Sequence, residues 1–258
     1  MTKETVLITG ASSGIGWELA KVFAAGNSNL ILVARNTTAM EKLAEELRQQ
    51  FSIQVEILGC DLSQATAPQW IFDRLQGRGV DVLVNNAGFG LHGGFADLPL
   101  ARQLEMIQVN IAALVALTGL FLPGMIQRRR GGILNVGSVA GFMPGPNMAV
   151  YFATKAFVLS YSEALHEELR GTGVTVTDLC PGPTETNFSM VARAHHVRQL
   201  QVARKMSARE VAVAGLRDFR SARCLSIPGW SNVFFSQLPR FNPRAWIRKA
   251  VLRVNRLK

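Results

Sequence analysis

The chain is short of several residue types that carry chemistry. Its 258 residues include three cysteines, four histidines and two tyrosines. Cys60, Cys180 and Cys224 lie at long spacings that match neither a zinc pattern nor a disulfide framework, so they read as reduced thiols of a cytosol-like compartment. His92, His166, His195 and His196 have no motif around them, and no metal site is expected. No repeat of roughly 20–50 residues is visible, which excludes a solenoid or propeller. Low-complexity tracts are absent too. With 48% hydrophobic and 18% charged residues, the chain is expected to be globular, and its length suits one α/β domain. The start, MTKETVLITG, has Glu4 before a short apolar run, which reads as a first strand and not as a signal peptide.

Met106 to Gln127 lacks any charge over about the length of a membrane span. It also contains Gln108, Asn110, Gly119, Pro123 and Gly124, so a buried core helix running into a turn is expected. Acid is scarce at the other end. Residues 1–190 hold 13 basic against 16 acidic side chains, a net of −3, whereas residues 191–258 hold 15 against 2, a net of +13.

What is present alternates between two periods. Apolar runs at 6–10, 30–35, 55–62, 80–88, 132–138 and 174–182 predict six strands, and 223–229 a seventh. Helices are predicted at 17–25, 38–50 and 151–170. Strands apolar nearly throughout, with helices between them, predict a single doubly wound (Rossmann) α/β domain over 1–258. Its sheet is parallel, with about seven strands and helices on both faces. Ligands of such sheets bind at the carboxyl ends of the strands.

The residues at those ends are the informative ones. Thr9-Gly10-Ala11-Ser12-Ser13-Gly14-Ile15-Gly16 follows the first strand and opens the first helix. Glycine lets the backbone approach a pyrophosphate, and the helix N-terminus offers N–H groups and a favourable dipole. The second strand ends Val33-Ala34-Arg35-Asn36, without the acid that would hold an NAD ribose. Arg35 can instead pair with a 2′-phosphate, which favours NADP. Tyr151 and Lys155 are four residues apart, on one face of a helix. An ammonium group nearby lowers a tyrosine's pKa toward neutrality, where the phenol can exchange a proton with a carbonyl or alcohol oxygen. Ser138 follows the fifth strand and can reach the same oxygen.

TGASSGIG (9–16), CDL (60–62), NNAG (85–88), Asn110, the GS at 137–138, YFATK (151–155) and PGPTET (181–186) together resemble the short-chain dehydrogenase/reductase family in order and spacing. The resemblance covers residues 4 to about 190. It implies that Tyr151 is the general acid/base. Lys155 lowers the tyrosine's pKa and holds the nicotinamide ribose, and Ser138 orients the substrate carbonyl. Asn110 kinks its helix and supports a water that relays protons to Lys155. For the cofactor, NADP(H), it implies contacts from Gly10, Ser12, Ser13, Gly14, Ile15 and Gly16. Asp61 and Leu62 flank the adenine, and Asn86, Ala87 and Gly88 lie beside the fourth strand. Pro181, Gly182, Thr184 and Thr186 hold the nicotinamide end. Asn85 is expected to brace the sheet, Thr9 to hold the glycine turn, and Arg128-Arg129-Arg130 to form a solvated turn. The resemblance also implies a homo-oligomer, dimer or tetramer, pairing through helices near 101–126 and 151–170.

The pocket is expected to be framed by Phe89, Leu91, Phe95, Phe142, Met143, Phe188 and Met190, in a substrate-loop region that continues over about 187–222. Such a lining suits a lipophilic carbonyl or alcohol. The leading expectation is a cytoplasmic NADP(H)-dependent carbonyl reductase. A 3-oxoacyl thioester reductase of fatty-acid synthesis is the alternative, and a non-catalytic NADP-binding sensor or scaffold is a third. Residues 243–258 predict a basic amphipathic helix with Asn242 as N-cap and Pro243 at its first position. Trp246, Ile247, Ala250, Val251, Val254 and Leu257 lie near one face, and no acid is present. That pattern suits peripheral contact with an anionic membrane surface, a partner subunit or its own domain. No nucleic-acid motif accompanies the charge.

Overall fold

The computed structural model describes residues 3–186, 188, 192 and 205–256. Strands β1 (Thr5–Thr9), β2 (Asn29–Ala34), β3 (Val55–Gly59), β4 (Val82–Asn85), β5 (Gly131–Val136) and β6 (Val174–Leu179) all end where the sequence supplies glycine or polar residues. With the short β9 (Leu225–Ser226) they form a seven-stranded sheet in the order β3-β2-β1-β4-β5-β6-β9. Every pairing is parallel. The order runs outward from β1 in both directions, so a crevice opens beside β1 and β4 at their carboxyl ends. A separate two-stranded ribbon pairs β7 (Thr184–Glu185) with β8 (Met206–Ser207).

Both sheet faces are covered, as strands this apolar require. On one face α1 (Gly14–Ala25), α2 (Thr37–Gln50) and α7 (Ala208–Arg220) bury Leu19, Phe23, Met40, Leu43, Leu47 and Phe219. On the other, α3 (Ala67–Arg74) and α5 (Ala113–Gln127) bury Ile71, Leu117, Phe121 and Met125. The long helix α6 (Ala149–Glu168) packs against β6. Two helices, α8 (Trp230–Phe241) and α9 (Arg244–Val254), close the described chain.

The uncharged stretch lies in a 28-residue helix, Leu100–Gln127, long and apolar enough by composition to cross a membrane. It is made of α4 (Leu100–Ile107), a π turn over Gln108–Ala112, and α5. One side is core: Ala113, Leu114, Leu117, Thr118, Phe121 and Met125 are buried. The core side is as expected, but the helix runs on through Pro123 and Gly124 to Gln127 instead of turning there, and Leu104, Ile107 and Ile126 are exposed.

Several expectations need correction. Residues 205–222, assigned to the substrate loop, are β8 and α7, and α7 packs against α1. Met190, His195, His196 and most of 187–204 lie outside the described residues. Asn242 does not cap the last helix: its Nδ2 donates backward to Leu238 O (2.9 Å), and Pro243 occupies the N-cap. The aromatic helix α8 and the short α3 were not anticipated. Arg128 and Arg129 are more than a solvated turn, since their guanidinium groups donate to Val80 O (2.9 Å) and Gly171 O (3.0 Å).

Phe23 is wholly buried between α1 and the ring of Phe219. Phe23→Ala is expected to lower unfolding free energy by about 3–5 kcal/mol, read by urea denaturation. A loss under about 1 kcal/mol would mean that this face of the core repacks freely.

Candidate active site

The glycine turn is welded to the end of β4 by one hydroxyl. Thr9 Oγ1 donates to Val84 O (3.2 Å) and accepts from the main-chain N–H groups of Asn86 and Ala87 (3.0 Å each). Asn86 Nδ2 donates to Thr9 O (2.8 Å) and Gly10 O (3.2 Å). The Asn86 side chain therefore holds the turn instead of reaching into the crevice. Gly10 has φ +66°, and a Cβ there would stand 2.8 Å from Asn86 Nδ2 and 2.9 Å from Ala87 Cα. Gly14 has φ +58°, and a Cβ there would lie 3.2 Å from the Thr186 methyl. Only glycine fits the first position. Ser12 is half-buried and Ser13 exposed. Ser13 is the N-cap of α1 but makes no side-chain cap bond, and the first turn carries no acid. Ile15 packs partly on the core behind the turn. The first amides of α1 thus face an anion's place without a competing carboxylate.

At the end of β2, Arg35 is exposed, and among the described residues it has no hydrogen-bond or ion-pair partner. Its neighbour Asn36 is occupied, capping α2 through Ala39 N (3.0 Å). Past β3, Asp61 Oδ1 accepts from Ser63 N (3.0 Å). The Leu62 side chain is buried in the core. Leu62 can meet a ligand only through its backbone. These features fit a dinucleotide with an additional phosphate near Arg35.

Across β4 and β5 the polar residues join α6. Asn110, inside the π turn, accepts from Phe89 N (3.1 Å) and donates to Phe89 O and Thr154 Oγ1 (3.0 Å each). Thr154 Oγ1 donates to Tyr151 O (2.7 Å). A π turn marks an extra residue in a helix and commonly sits at functional sites. Gly88 is exposed beside this network, where a Cβ would lie 3.1 Å from Asn110 Oδ1. Asn85 braces the sheet as expected, donating to Asn135 Oδ1 (3.0 Å) and Thr118 Oγ1 (3.2 Å). Past β6, Pro181 O accepts from Val139 N (3.1 Å), and Thr184 Oγ1 donates to Gly182 O (2.9 Å). Thr186 Oγ1 accepts from Phe188 N (3.2 Å).

Ser138, Tyr151 and Lys155 converge at this edge. Ser138 Oγ accepts from Ala140 N (3.1 Å), and its hydroxyl donates to Pro181 O (3.5 Å). Lys155 Nζ donates to Val136 O (2.7 Å) and stands 6.0 Å from the centre of the Tyr151 ring. Both side chains are buried. Burial pushes the Tyr151 phenol up to about 12, with the Ser138 hydroxyl pulling the other way. Burial also pushes Lys155 down to about 8, opposed by the negative charge of Asp178. The tyrosine is thus not poised near neutrality in this structure, contrary to expectation. Desolvation outweighs the ammonium group, because the ammonium is aimed at a carbonyl and not at the phenol.

Sequence reasoning missed Asp178. It is fully buried at the end of β6; Oδ1 accepts from Gly137 N (2.8 Å) and Oδ2 from Cys180 Sγ (3.2 Å). Gly137 has no room for a Cβ against this carboxylate, so Asp178 braces the residue before Ser138. Burial raises Asp178 to about 6. An acid inside the run VTVTDLC was the available signal, since a buried charge is unusual without a task.

The short chain dehydrogenase family profile matches residues 4–196. The chain is 43% identical over 192 residues to sulfoacetaldehyde reductase 2 of Chromohalobacter salexigens, covering 73% of this chain and 75% of that protein. It is 36% identical over 177 residues to the very-long-chain 3-oxoacyl-CoA reductase of Coprinopsis cinerea, covering 67% of this chain but 52% of that protein. The chain thus spans about half the length of that relative. A solved short-chain dehydrogenase from Sphingobium yanoikuyae in complex with NADPH superimposes with a TM-score of 0.83 at 36% identity over 88% of each chain. The chain belongs to the short chain dehydrogenase family, and it is an oxidoreductase.

Asp178→Asn removes the negative charge that opposes the burial of Lys155. Lys155 should then lose its proton at lower pH, so the alkaline fall in turnover moves below about pH 8. Below about pH 6 Asp178 is itself protonated, and the variant and the parent should converge. Superimposable pH–rate profiles across the alkaline limb would show that Asp178 does not act on Lys155.

Proposed function

We propose that the chain is an NADP(H)-dependent reductase of carbonyl groups on lipophilic substrates, able to run the alcohol oxidation in reverse. The observation that carries this reading is the buried Tyr151 ring with the Lys155 ammonium 6.0 Å from its centre, beside Ser138 at the carboxyl edge of a parallel sheet. NADP(H) supplies the hydride. Gly10, Ser12, Ser13, Gly14, Ile15 and Gly16 receive its pyrophosphate at the N-terminus of α1. Arg35 pairs with the 2′-phosphate. Asp61 and the Leu62 backbone flank the adenine, and Asn86, Ala87 and Gly88 form the wall beside β4. Pro181, Gly182, Thr184 and Thr186 hold the nicotinamide end.

The proton side of the reaction belongs to the chain. Ser138 orients the carbonyl oxygen toward Tyr151. A phenol held near 12 is protonated at neutral pH, the form that a reductase needs as its acid. Lys155 is still charged below about pH 8, so it stabilises the phenolate left when the proton moves to the carbonyl oxygen. Asn110 holds the turn between β4 and α6 along which Lys155 is resupplied with protons.

The lipophilic substrate is supported by the lining. Phe89, Phe142, Met143 and Phe188 are half-buried, and the Phe188 ring lies 5.2 Å from that of Tyr151. A second reading, a 3-oxoacyl thioester reductase, is favoured by the Coprinopsis relative and by the basic last quarter of the chain. The protein is cytoplasmic in this reading, with peripheral membrane contact. It is a homo-oligomer that covers Leu100 (61% exposed), Leu104 (55%) and Phe157 (38%).

NADPH oxidation followed by absorbance, against lipophilic ketones, aldehydes and 3-oxoacyl thioesters, tests the function. Tyr151→Phe should keep NADPH binding and lose about 10²–10⁴-fold in turnover. Loss of cofactor binding would mean that its role is misassigned. Arg35→Ser should cut the preference for NADPH over NADH by roughly 10–100-fold, the loss of a charge-assisted phosphate contact. An unchanged preference would remove Arg35 from the phosphate site. Leu104→Glu should yield a smaller species in light scattering, and an unchanged mass would place any interface elsewhere.

A further inference from the structure

After Asp218 the chain contains no Asp or Glu. The two helices there leave large aromatic side chains in water. On α8, Trp230 is 86% exposed, Phe234 58% and Phe241 83%. At helical spacing these three fall on one face together with Val233, to the side of the buried Ser236. Trp246, on α9, is 67% exposed. Around them stand Arg240, Arg244, Arg248, Lys249, Arg253 and Arg256, and all six are exposed. None of the six has an ion-pair partner among the described residues.

α9 presents only part of the apolar stripe that its sequence suggests. Ile247, Val251 and Val254 are half-buried and Asn255 is buried, whereas Trp246, Ala250 and Leu252 are exposed among the cations. The larger free apolar surface is that of α8. Asn255 fastens the end of α9 to the two loops that rim the carbonyl site. Its carbonyl accepts from His92 Nε2 and Asn147 Nδ2 (2.9 Å each), and its own Nδ2 donates to Pro146 O (3.0 Å). At the other end, α8 packs on the 3-10 turn Val139–Phe142 that follows Ser138. Asn232 of α8 fills the space that a side chain at 182 would need.

We propose that α8 and α9 form a docking surface for an anionic lipid bilayer, which holds the rim of the carbonyl site at the membrane. Aromatic rings between cations match the interfacial zone, where rings enter the headgroup layer and basic side chains meet lipid phosphates. A second copy of the chain is a poor occupant, because pairing this surface with itself opposes six cations with six. The docking needs no assumption about the substrate. Delivery of membrane-borne substrate to Tyr151 rests on the lipophilic reading above.

The test is co-sedimentation of the full chain with phosphatidylcholine vesicles, with and without phosphatidylglycerol. Binding is expected to vesicles containing phosphatidylglycerol at low salt, with release at high salt. The triple variant Arg248→Gln, Lys249→Gln, Arg253→Gln should weaken partitioning by roughly 100-fold, about fivefold for each cation. Trp230→Ser with Phe234→Ser should weaken it independently, while both variants keep the parent's melting temperature and its turnover of a water-soluble ketone. Failure of the reductase reading would show as absent turnover with vesicle binding intact. The proposal is overturned by no binding at low salt, by equal binding of parent and variants, or by equal binding to both vesicle types. It is also overturned if the aromatic variant splits an oligomer without changing vesicle binding, since a second copy would then be the occupant.

Discussion

An ammonium group buried in an α/β core is the constraint on which the site depends. Lys155 is 7% exposed, and such a charge is costly unless something answers it. Val136 O accepts a hydrogen bond from it, and the Asp178 carboxylate supplies the opposing field. Asp178 is in turn held by Gly137 N, one residue before Ser138. The group that keeps Lys155 charged therefore also sets the turn that carries the substrate-orienting hydroxyl. The cost of burial is spread over β5, β6 and α6, and no single one of these can shift without moving the others.

The same economy joins the cofactor side to the chemistry. Thr9 ties the glycine turn to the end of β4, and Asn110 ties the next residues of that loop to α6. Thr154 completes the connection to Tyr151. Hydroxyl and amide groups bridge strand ends that carry no regular partner of their own, which is how buried polar groups at a sheet edge stay satisfied. The glycines at 10 and 14 belong to this closure as much as to any ligand, because Asn86, Ala87 and Thr186 occupy the space above them.

Much of this was legible in the residues. The alternating apolar runs set the parallel sheet, and Gly10, Ser138, Tyr151 and Lys155 fall at or beside strand ends, as the pattern required. Three kinds of feature were not legible. The direction of the Tyr151 shift depends on where an ammonium points, and spacing along a helix does not encode that. Asp178 lay in plain view but acts through a glycine of another strand, a contact that only the fold creates. The apolar surface of α8 was not legible because no helix was predicted over 230–241. The stripe of α9 looked free, yet its Ile247, Val251 and Val254 are half-buried where Asn255 is tied to the rim loops.

The central claim is that Tyr151 donates the proton and that a charged cofactor site brings its phenol into range. With only Tyr151 and Tyr161 in the chain, phenolate absorbance can be assigned. The decisive measurement is an ultraviolet pH titration of the Tyr161→Phe protein, alone and with saturating NADP⁺. Without cofactor, the remaining tyrosine should ionise near 12. With cofactor it should ionise at markedly lower pH, since the positive nicotinamide ring and Lys155 then share the pocket with the phenolate. An ionisation that stays near 12 with cofactor bound would contradict the account, and Tyr151 would be a packing residue beside a site that works through another acid.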